Sequence, residues 1–213
     1  GDTPIGYSAY EKNFMGWIEL IEPQPNTHYT LPVFNAKNHD TDQAIKITAL
    51  HPNEYFILEN RRRQGWDQYI ADEGVLITHF TYVPSRWEDN TVNNKAVQLA
   101  TIIAADNQTS NYNEGDDLYG EINQSFTATS TPAMKANMSA NGALAGTTGY
   151  YGSINKPVTE IELNNDGTAS LWYIKAELNV DPTELSFKVS EGKTRTATFQ
   201  VTGSSLPQEV TLT

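Results

Sequence analysis

Residue types able to do chemistry are sparse in this 213-residue chain, and their spacing excludes the common catalytic constellations. Its histidines are His28, His39, His51 and His79, and no two stand at i and i+4. The helical His-Glu-x-x-His zinc site needs two imidazoles on one helix face with a glutamate base beside them, so that site is absent. Cysteine is missing altogether, which removes thiolate metal sites, disulfides and thiol nucleophiles together. A Gly-x-Ser-x-Gly elbow, a Gly-x-x-x-x-Gly-Lys-Ser/Thr phosphate loop and a dinucleotide fingerprint are absent as well. No catalytic residue is assigned.

Acidic and aromatic side chains are what remain. The stretch Asp106–Glu121 offers carboxylates and amide oxygens to a calcium ion, but the EF-hand register fails. Placing Gly115 at the required sixth position puts Ser110 and Tyr112 where the first and third ligands belong. Asp116 and Asp117 are the candidate ligands of a weak calcium site outside that motif. Glu59 and Arg61, two apart on a strand pattern, share one face, and the expected role of such a pair is structural. In Arg61-Arg62-Arg63, the only basic run, the expectation is intramolecular pairing with carboxylates. Trp66, Trp87, Tyr150 and Tyr151 are the candidate binding aromatics.

The elements that would position these residues are mostly strands. One short helix is expected first: Ser8 as N-cap, Glu11 at N3 completing a capping box, Ala9–Met15 helical, and Gly16 as the stop. Tyr7, Tyr10, Phe14 and Trp17 recur at helical spacing and are expected to face the core. From Trp17 the period changes to two. Strands are expected at Ile18–Glu22, His28–Phe34, Ala44–Leu50, Glu54–Asn60, Gly74–Tyr82, Val97–Ala104, Val158–Leu163 and Ala169–Ala176. Glu54–Asn60 and Gly74–Tyr82 carry large residues on both faces, which makes them central strands. Alternation places His79 with Ile77 and Val75, hydrogen-bonded inside the fold. Asp166-Gly167 marks a hairpin turn. Arg61–Asp72 reads as a loop or a short helical turn, and Asp106–Gly152 as a long irregular segment. After a boundary near Glu177, Leu185–Val189 and Ala197–Thr202 have the cadence of immunoglobulin-like strands, of which only part of a domain is present. The fold expected is mainly β: an antiparallel β-sandwich-like domain over 1–177, with partial Ig-like strands over 178–213.

Composition narrows the function classes. A net charge of −12 and a pI near 4.6 argue against a nucleic-acid or anionic-membrane binder, because phosphate neutralisation needs clustered cations. Apolar runs of about 18 residues, needed to span a bilayer as a helix, do not occur. The 4 Trp, 11 Tyr and 7 Phe supply a core and argue against disorder. An acidic, cysteine-free chain rich in Thr and Asn suits an exported protein.

Several segments together resemble immune-inhibitor-A-like secreted zinc metallopeptidases. They are Gly6-Tyr7-Ser8-Ala9-Tyr10-Glu11-Lys12 with Met15-Gly16-Trp17-Ile18-Glu19, Glu54-Tyr55-Phe56-Ile57-Leu58-Glu59-Asn60-Arg61 with Gly65-Trp66-Asp67, and Gly74-Val75-Leu76-Ile77-Thr78-His79. Asn90-Thr91-Val92-Asn93-Asn94, Gly115-Asp116-Asp117-Leu118-Tyr119-Gly120 and Phe126 through Ser130-Thr131-Pro132 follow in the family's order, over about residues 4–176. In that family the first segment lies downstream of the zinc-binding helix. No residue of this sequence matches that helix. Phe80 and Thr81 stand where an Asp usually follows the histidine, and Asp117 and Leu118 where Pro and Phe are usual. The tail, through Asp181-Pro182-Thr183-Glu184-Leu185-Ser186-Phe187 and Val201-Thr202-Gly203, is similar to Ig-like modules of exported bacterial proteins.

The resemblance implies the non-catalytic C-terminal part of a secreted peptidase, or a remnant without its catalytic half. It implies a secreted, periplasmic or bacterial cell-surface location. Zinc is implied for the full-length family and no cofactor for this chain. Implied partners are the upstream catalytic half and a protein or peptide substrate. A free-standing surface module binding glycans or proteins is the other class. The chain alone is expected to turn over no protein substrate, because a water-activating Lewis acid needs its full ligand set. Chelator-sensitive hydrolysis of casein by a preparation free of contaminating protease would contradict this.

Overall fold

A computed structural model describes residues 4–36, 41–94, 97–108, 115–146, 150–181, 183, 186, 188–194, 196–198 and 200–204. The elements in chain order are α1 (Ala9–Phe14), β1 (Thr27–Leu31), β2 (Ala44–Thr48), β3 (Glu54–Arg61), β4 (Gly74–Thr81), α2 (Pro84–Glu88), β5 (Ala100–Ile102), β6 (Lys135–Ala136), β7 (Gly152–Ser153), β8 (Val158–Leu163), β9 (Ala169–Tyr173), β10 (Glu177–Asp181) and β11 (Gln200–Ser204). The chain is mainly β and its sheets are antiparallel. A four-stranded sheet ordered β2-β3-β4-β5 lies against a three-stranded sheet ordered β1-β9-β8, which is the layered arrangement of a β-sandwich. The expected central strands, β3 and β4, are central. β8 and β9 are joined at the Asp166-Gly167 turn, where Gly167 has φ 90° and its N–H donates to Asn164 O at 3.0 Å.

Alternation along β3 divides its side chains between two environments. Phe56 and Leu58 face the inter-sheet core with Ile45, Ile47, Val75 and Ile77. Across from them lie Leu31, Val158, Ile161, Ala169 and Leu171. The opposite face carries Tyr55, Ile57, Glu59 and Arg61. There Ile57 joins Ala9, Phe34, Ala44 and Phe80 in a second buried cluster. A sheet buried on both faces explains why β3 lacks a polar stripe.

Two expectations about irregular segments change. Ile18–Glu22 forms no strand, because only Ile21 pairs, in an isolated parallel bridge to Ile45. The long segment after Asp106 is part of the core: Tyr119, Phe126, Met134, Ala136 and Ile154 all sit in the inter-sheet cluster. Its anchors are single apolar residues separated by turns, a pattern without a period to read. Glu54 fixes it further, accepting the backbone N–H groups of Asn137 at 2.5 Å and Met138 at 2.9 Å. At the C-terminus β10 and β11 pair antiparallel. Leu185, Phe187 and Phe199 of the expected Ig-like strands lie outside the described residues.

Of the aromatic stripe of the N-terminal helix only Tyr10 packs on a buried cluster, and the other three rings face solvent. Phe14 is 82% exposed, Trp17 60% and Tyr7 55%, while Ala9 and Lys12 are buried. The cap itself is as expected: Ser8 Oγ accepts from Glu11 N, and Glu11 Oε2 accepts from Ser8 N at 2.8 Å. Polar anchoring overrides the apolar stripe. Ala9 N–H donates to Glu59 Oε2 at 2.5 Å, and Lys12 pairs with the buried Asp42. Those contacts turn the i, i+3 pair Ala9 and Lys12 inward, and those three rings outward.

Arg61 stands at the centre of this anchoring. Its Nε donates to Glu59 Oε1 at 3.0 Å, its guanidinium bonds Asp67 Oδ2 at 2.5 Å, and it lies 5.5 Å from the Phe34 ring centroid. Asp67 in turn accepts the Gly6 N–H at 2.9 Å. Arg62 and Arg63 depart from the expected role, since their guanidinium groups bond backbone carbonyls of Gly167, Thr168, Ile70 and Ala71. Burial pushes the Glu59 carboxyl above its ordinary value against the pull of Arg61 and the Ala9 N–H. Folding therefore takes up a proton there, so this contribution favours the fold fully below about pH 4.5 and fades as pH rises through the folded value. Burial opposes the Arg61 charge too, but Glu59 and Asp67 outweigh it and hold its pKa above the ordinary one. Arg61→Ala is expected to cost about 3–5 kcal/mol at neutral pH, because two buried carboxylates lose their counter-charge. The loss should shrink on acidification as Glu59 takes up a proton. Urea unfolding at pH 7 and pH 4.5 checks both, and an unchanged loss would show a packing effect only.

Candidate functional site: an aromatic surface ending in an asparagine-lined depression

The outward turn of α1 builds a surface that no single segment specifies. Tyr10 and Phe14, one helical turn apart, stack with centroids 6.4 Å apart and planes 17° apart. Tyr10 also stacks on Phe80 of β4 at 4.2 Å and 13°. Phe80 meets its cross-strand partner Tyr55 at 5.9 Å. On the other side Tyr10 lies 5.5 Å from Trp87, and Trp87 lies 5.9 Å from Tyr82. Six rings thus form a continuous array from α1 across the outer face of the four-stranded sheet to α2. Lys46 sits 5.0 Å from the Tyr55 centroid at its flank.

α2 and the turn after it carry the end of the array. Pro84 stands in its first turn, and Trp87 N–H reaches back to Val83 O at 3.2 Å. Asn90 takes φ 53°, a left-handed conformation that asparagine tolerates well. The following turn is braced by Asn93, whose Oδ1 accepts from Leu99 N at 3.0 Å and Ala100 N at 3.1 Å. Arg86 donates to Asn94 Oδ1 at 3.0 Å. Trp87 donates its indole N–H to Thr81 O at 3.4 Å. Trp87, Asn90, Val92, Asn93, Asn94 and Ala100 together line an open depression of about 470 Å³.

Burial, reinforced by Tyr82, raises the Tyr10 pKa, and burial with Tyr10 pushes Tyr55 up to about 12. Both hydroxyls keep their protons at neutral pH and stay available as donors.

Of the candidate binding aromatics only Trp87 belongs to the array. Trp66 is exposed on a 3₁₀ turn, Gly65–Asp67. Tyr150 is exposed beneath Lys135, 5.1 Å from its centroid, and Tyr151 is exposed with its N–H on Ala136 O at 2.8 Å. Among the described residues no ring contact joins any two of these four. Sequence reading missed Tyr55, Phe80, Tyr82 and Asn90 as site members, because their adjacency depends on the β3–β4 register and on where α2 folds back.

The other sequence candidates lie elsewhere. His79 is buried, with Nε2 2.7 Å from Glu54 Oε1 and its ring stacked on Phe56 at 4.2 Å. Sealed from solvent, Glu54 and His79 hold strands together and reach no substrate. His51 Nδ1 accepts from Asn53 N, His28 packs on Trp172, and His39 is outside the described residues. Asp116 is exposed and Asp117 half-buried, while residues 109–114 of the calcium candidate loop are outside the description. Asp72 Oδ2, accepting Leu118 N at 2.9 Å, braces the end of that loop. Among the described residues no group of three or more His, Cys, Asp or Glu could hold a metal ion. No helix among them is long and apolar enough to cross a membrane.

The chain matches no family model, no curated protein and no solved structure. What the fold and surface define is a mainly antiparallel β domain bearing an aromatic array of which Phe14 and Tyr82 are exposed.

Because the Tyr55 pKa is raised from 10.0 to about 12, its contribution to stability is complete below pH 10 and is lost as pH rises toward 12. Tyr55→Phe is therefore expected to flatten the alkaline fall of the unfolding midpoint. Identical pH profiles for the two proteins would show that Tyr55 is solvated.

Proposed function

We propose that this chain is the non-catalytic C-terminal portion of a secreted metallopeptidase-like protein, completing or supporting the protease domain and its substrate cleft. The observation that carries the reading is the exposed apolar face of the first segment. Ile5, Tyr7, Phe14, Met15 and Trp17 are all exposed, on and on either side of a short helix held from below by Glu59 and Asp42. Large apolar side chains exposed together in one short segment mark an interaction site. It falls on the Gly6–Trp17 segment, which resembles the one that follows the zinc helix in immune-inhibitor-A-like peptidases. In this reading the zinc and its ligands belong to the upstream half, and this chain supplies a wall and a rigid base. The location is secreted, periplasmic or at a bacterial cell surface.

A second reading, a surface module binding glycans or proteins, is favoured by a different observation: the depression beside Trp87 at the far end of the aromatic array.

The first reading is tested on the encoded sequence upstream of Gly1 and on the joined protein. A His-Glu-x-x-His within roughly a domain length is expected there. Phe14→Ser with Trp17→Ser should leave the stability of this chain within about 0.5 kcal/mol, while lowering casein hydrolysis by the joined protein about tenfold, equivalent to about 1.4 kcal/mol. A signal peptide directly before Asp2, or unchanged hydrolysis, would sink this reading.

A further inference from the structure

We infer that the outer edge of β1 is an interface at which a second copy of this chain adds an antiparallel strand. The two main sheets have four outer strands, β2, β5, β1 and β8, and three of them have their outward backbone groups engaged. On β2, Ile21 N donates to Ala44 O at 2.9 Å, Lys46 N donates to Ile21 O at 2.8 Å, and Lys156 Nζ donates to Thr48 O at 2.6 Å. On β5 the Asn93 amide stands in for a strand, accepting from Ala100 N at 3.1 Å and donating to Ala100 O at 2.5 Å. On β8, Val158 exchanges both backbone bonds with Phe126, at 2.9 and 3.0 Å, and Ile161 N donates to Gln124 O at 3.0 Å. Such closures matter because an open sheet edge is a template for strand addition.

The remaining edge, β1, is built differently. Asn26 N donates to Ile174 O at 3.0 Å, which sets the phase of the β1–β9 ladder. His28 and Thr30 therefore spend their backbone groups on Trp172 and Ser170, and those of Thr27, Tyr29 and Leu31 point away from β9. Leu31 O accepts from Asn60 Nδ2 at 3.1 Å. Thr27 N and O, Tyr29 N and O, and Leu31 N have no partner among the described residues, which include both flanking connections, 22–26 and 32–36. The strand also lacks the features that blunt an edge: Thr27–Leu31 holds no proline, no charged Asp, Glu, Lys or Arg, and no bulge.

The register selects a second copy as the occupant. Pairing β1 with itself about a two-fold axis at Tyr29 sets Tyr29 opposite Tyr29, and Thr27 opposite Leu31 of the second copy. Every outward-facing residue then meets an outward-facing one, so a single patch supplies both sides of the interface. The two Tyr29 residues exchange a pair of bonds, and each Leu31 N–H reaches a Thr27 O. A slip by one residue would set Tyr29 opposite Thr30, whose groups are spent on β9. His28 and Thr30, both exposed, become cross-strand neighbours. Two chains of net charge −12 thus meet along a segment where no like charges touch.

This inference goes beyond both readings of function and rests on neither. In sedimentation the intact chain is expected to show a monomer–dimer equilibrium with Kd of about 100 µM or tighter. Amide exchange at Tyr29 and Leu31 should slow at least about threefold between about 10 µM and about 1 mM protein, while His28 and Thr30 change little. His28→Glu with Thr30→Glu places like charges opposite each other twice, and should weaken association at least about tenfold, as should His28→Lys with Thr30→Lys. An equimolar mixture of the two variants should restore it, with thermal melting confirming that both are folded. A chain that stays monomeric at about 1 mM, a dimer whose exchange protection lies outside Thr27–Leu31, or a mixture that associates no better than either variant alone would overturn the inference. Phe14→Ser with Trp17→Ser should associate as the unsubstituted chain does. Loss of association in that variant would place the contact on α1, overturning this inference and leaving the peptidase reading standing.

Discussion

Arg61, held between Glu59 and Asp67 beneath the N-terminal helix, is the interaction on which the arrangement of this molecule turns. Each of the three charges is buried, and each would be expensive alone. Together they form a set that only one placement of the chain satisfies. Glu59 uses its second oxygen to take the first backbone N–H of α1, and Asp67 takes the Gly6 N–H and an Asn35 amide hydrogen at 3.2 Å. Asn35 in turn receives its own backbone partner from Asp42, which pairs with Lys12. Strand β3, the 3₁₀ turn after it and the N-terminal segment are thereby locked in one register, a role that buried polar groups perform better than interchangeable apolar contacts.

The same lock creates the surface. A helix that buries Ala9 and Lys12 turns Phe14 to solvent and leaves Tyr10 half-buried, where it lands on Phe80 because β4 offers that ring beside Tyr55. Strand alternation then couples the two halves of the molecule: Phe56 and Leu58 fill the inter-sheet core while their neighbours Tyr55 and Ile57 support the aromatic face. Rigidity at the site is thus inherited from the core, which is what a preorganised contact surface requires.

At the opposite end of β3, Glu54 performs a comparable task with different partners. Its carboxylate gathers His79 and the Asn137 and Met138 N–H groups, fastening a segment that has almost no regular structure of its own. Tyr119, Phe126 and Met134 enter the core from that segment. Its irregularity is a matter of backbone conformation, and its apolar anchors are buried as fully as those of the strands.

The sequence by itself determined the elements whose causes are local. Ser8, Glu11 and Gly16 delimit α1, alternation marks β2, large residues on both faces mark β3 and β4, and Asp166-Gly167 makes the turn between the strand patterns of β8 and β9. It also put His79 on the inner face and Glu59 beside Arg61, because a period of two holds along any strand. Tertiary structure decided the rest. The direction faced by the Tyr7, Tyr10, Phe14 and Trp17 stripe was set by carboxylates distant in sequence, whose claim on backbone N–H groups and on Lys12 outweighed the burial of rings. The contribution of Asp106–Gly152 to the core depended on isolated anchors that carry no period. Of the candidate binding residues, Trp87 was legible, but its neighbours Tyr10, Tyr82 and Asn90 became a site only when α2 folded back over the edge of β4. Side-chain chemistry is written residue by residue, whereas a surface is a property of register and of the path of the chain.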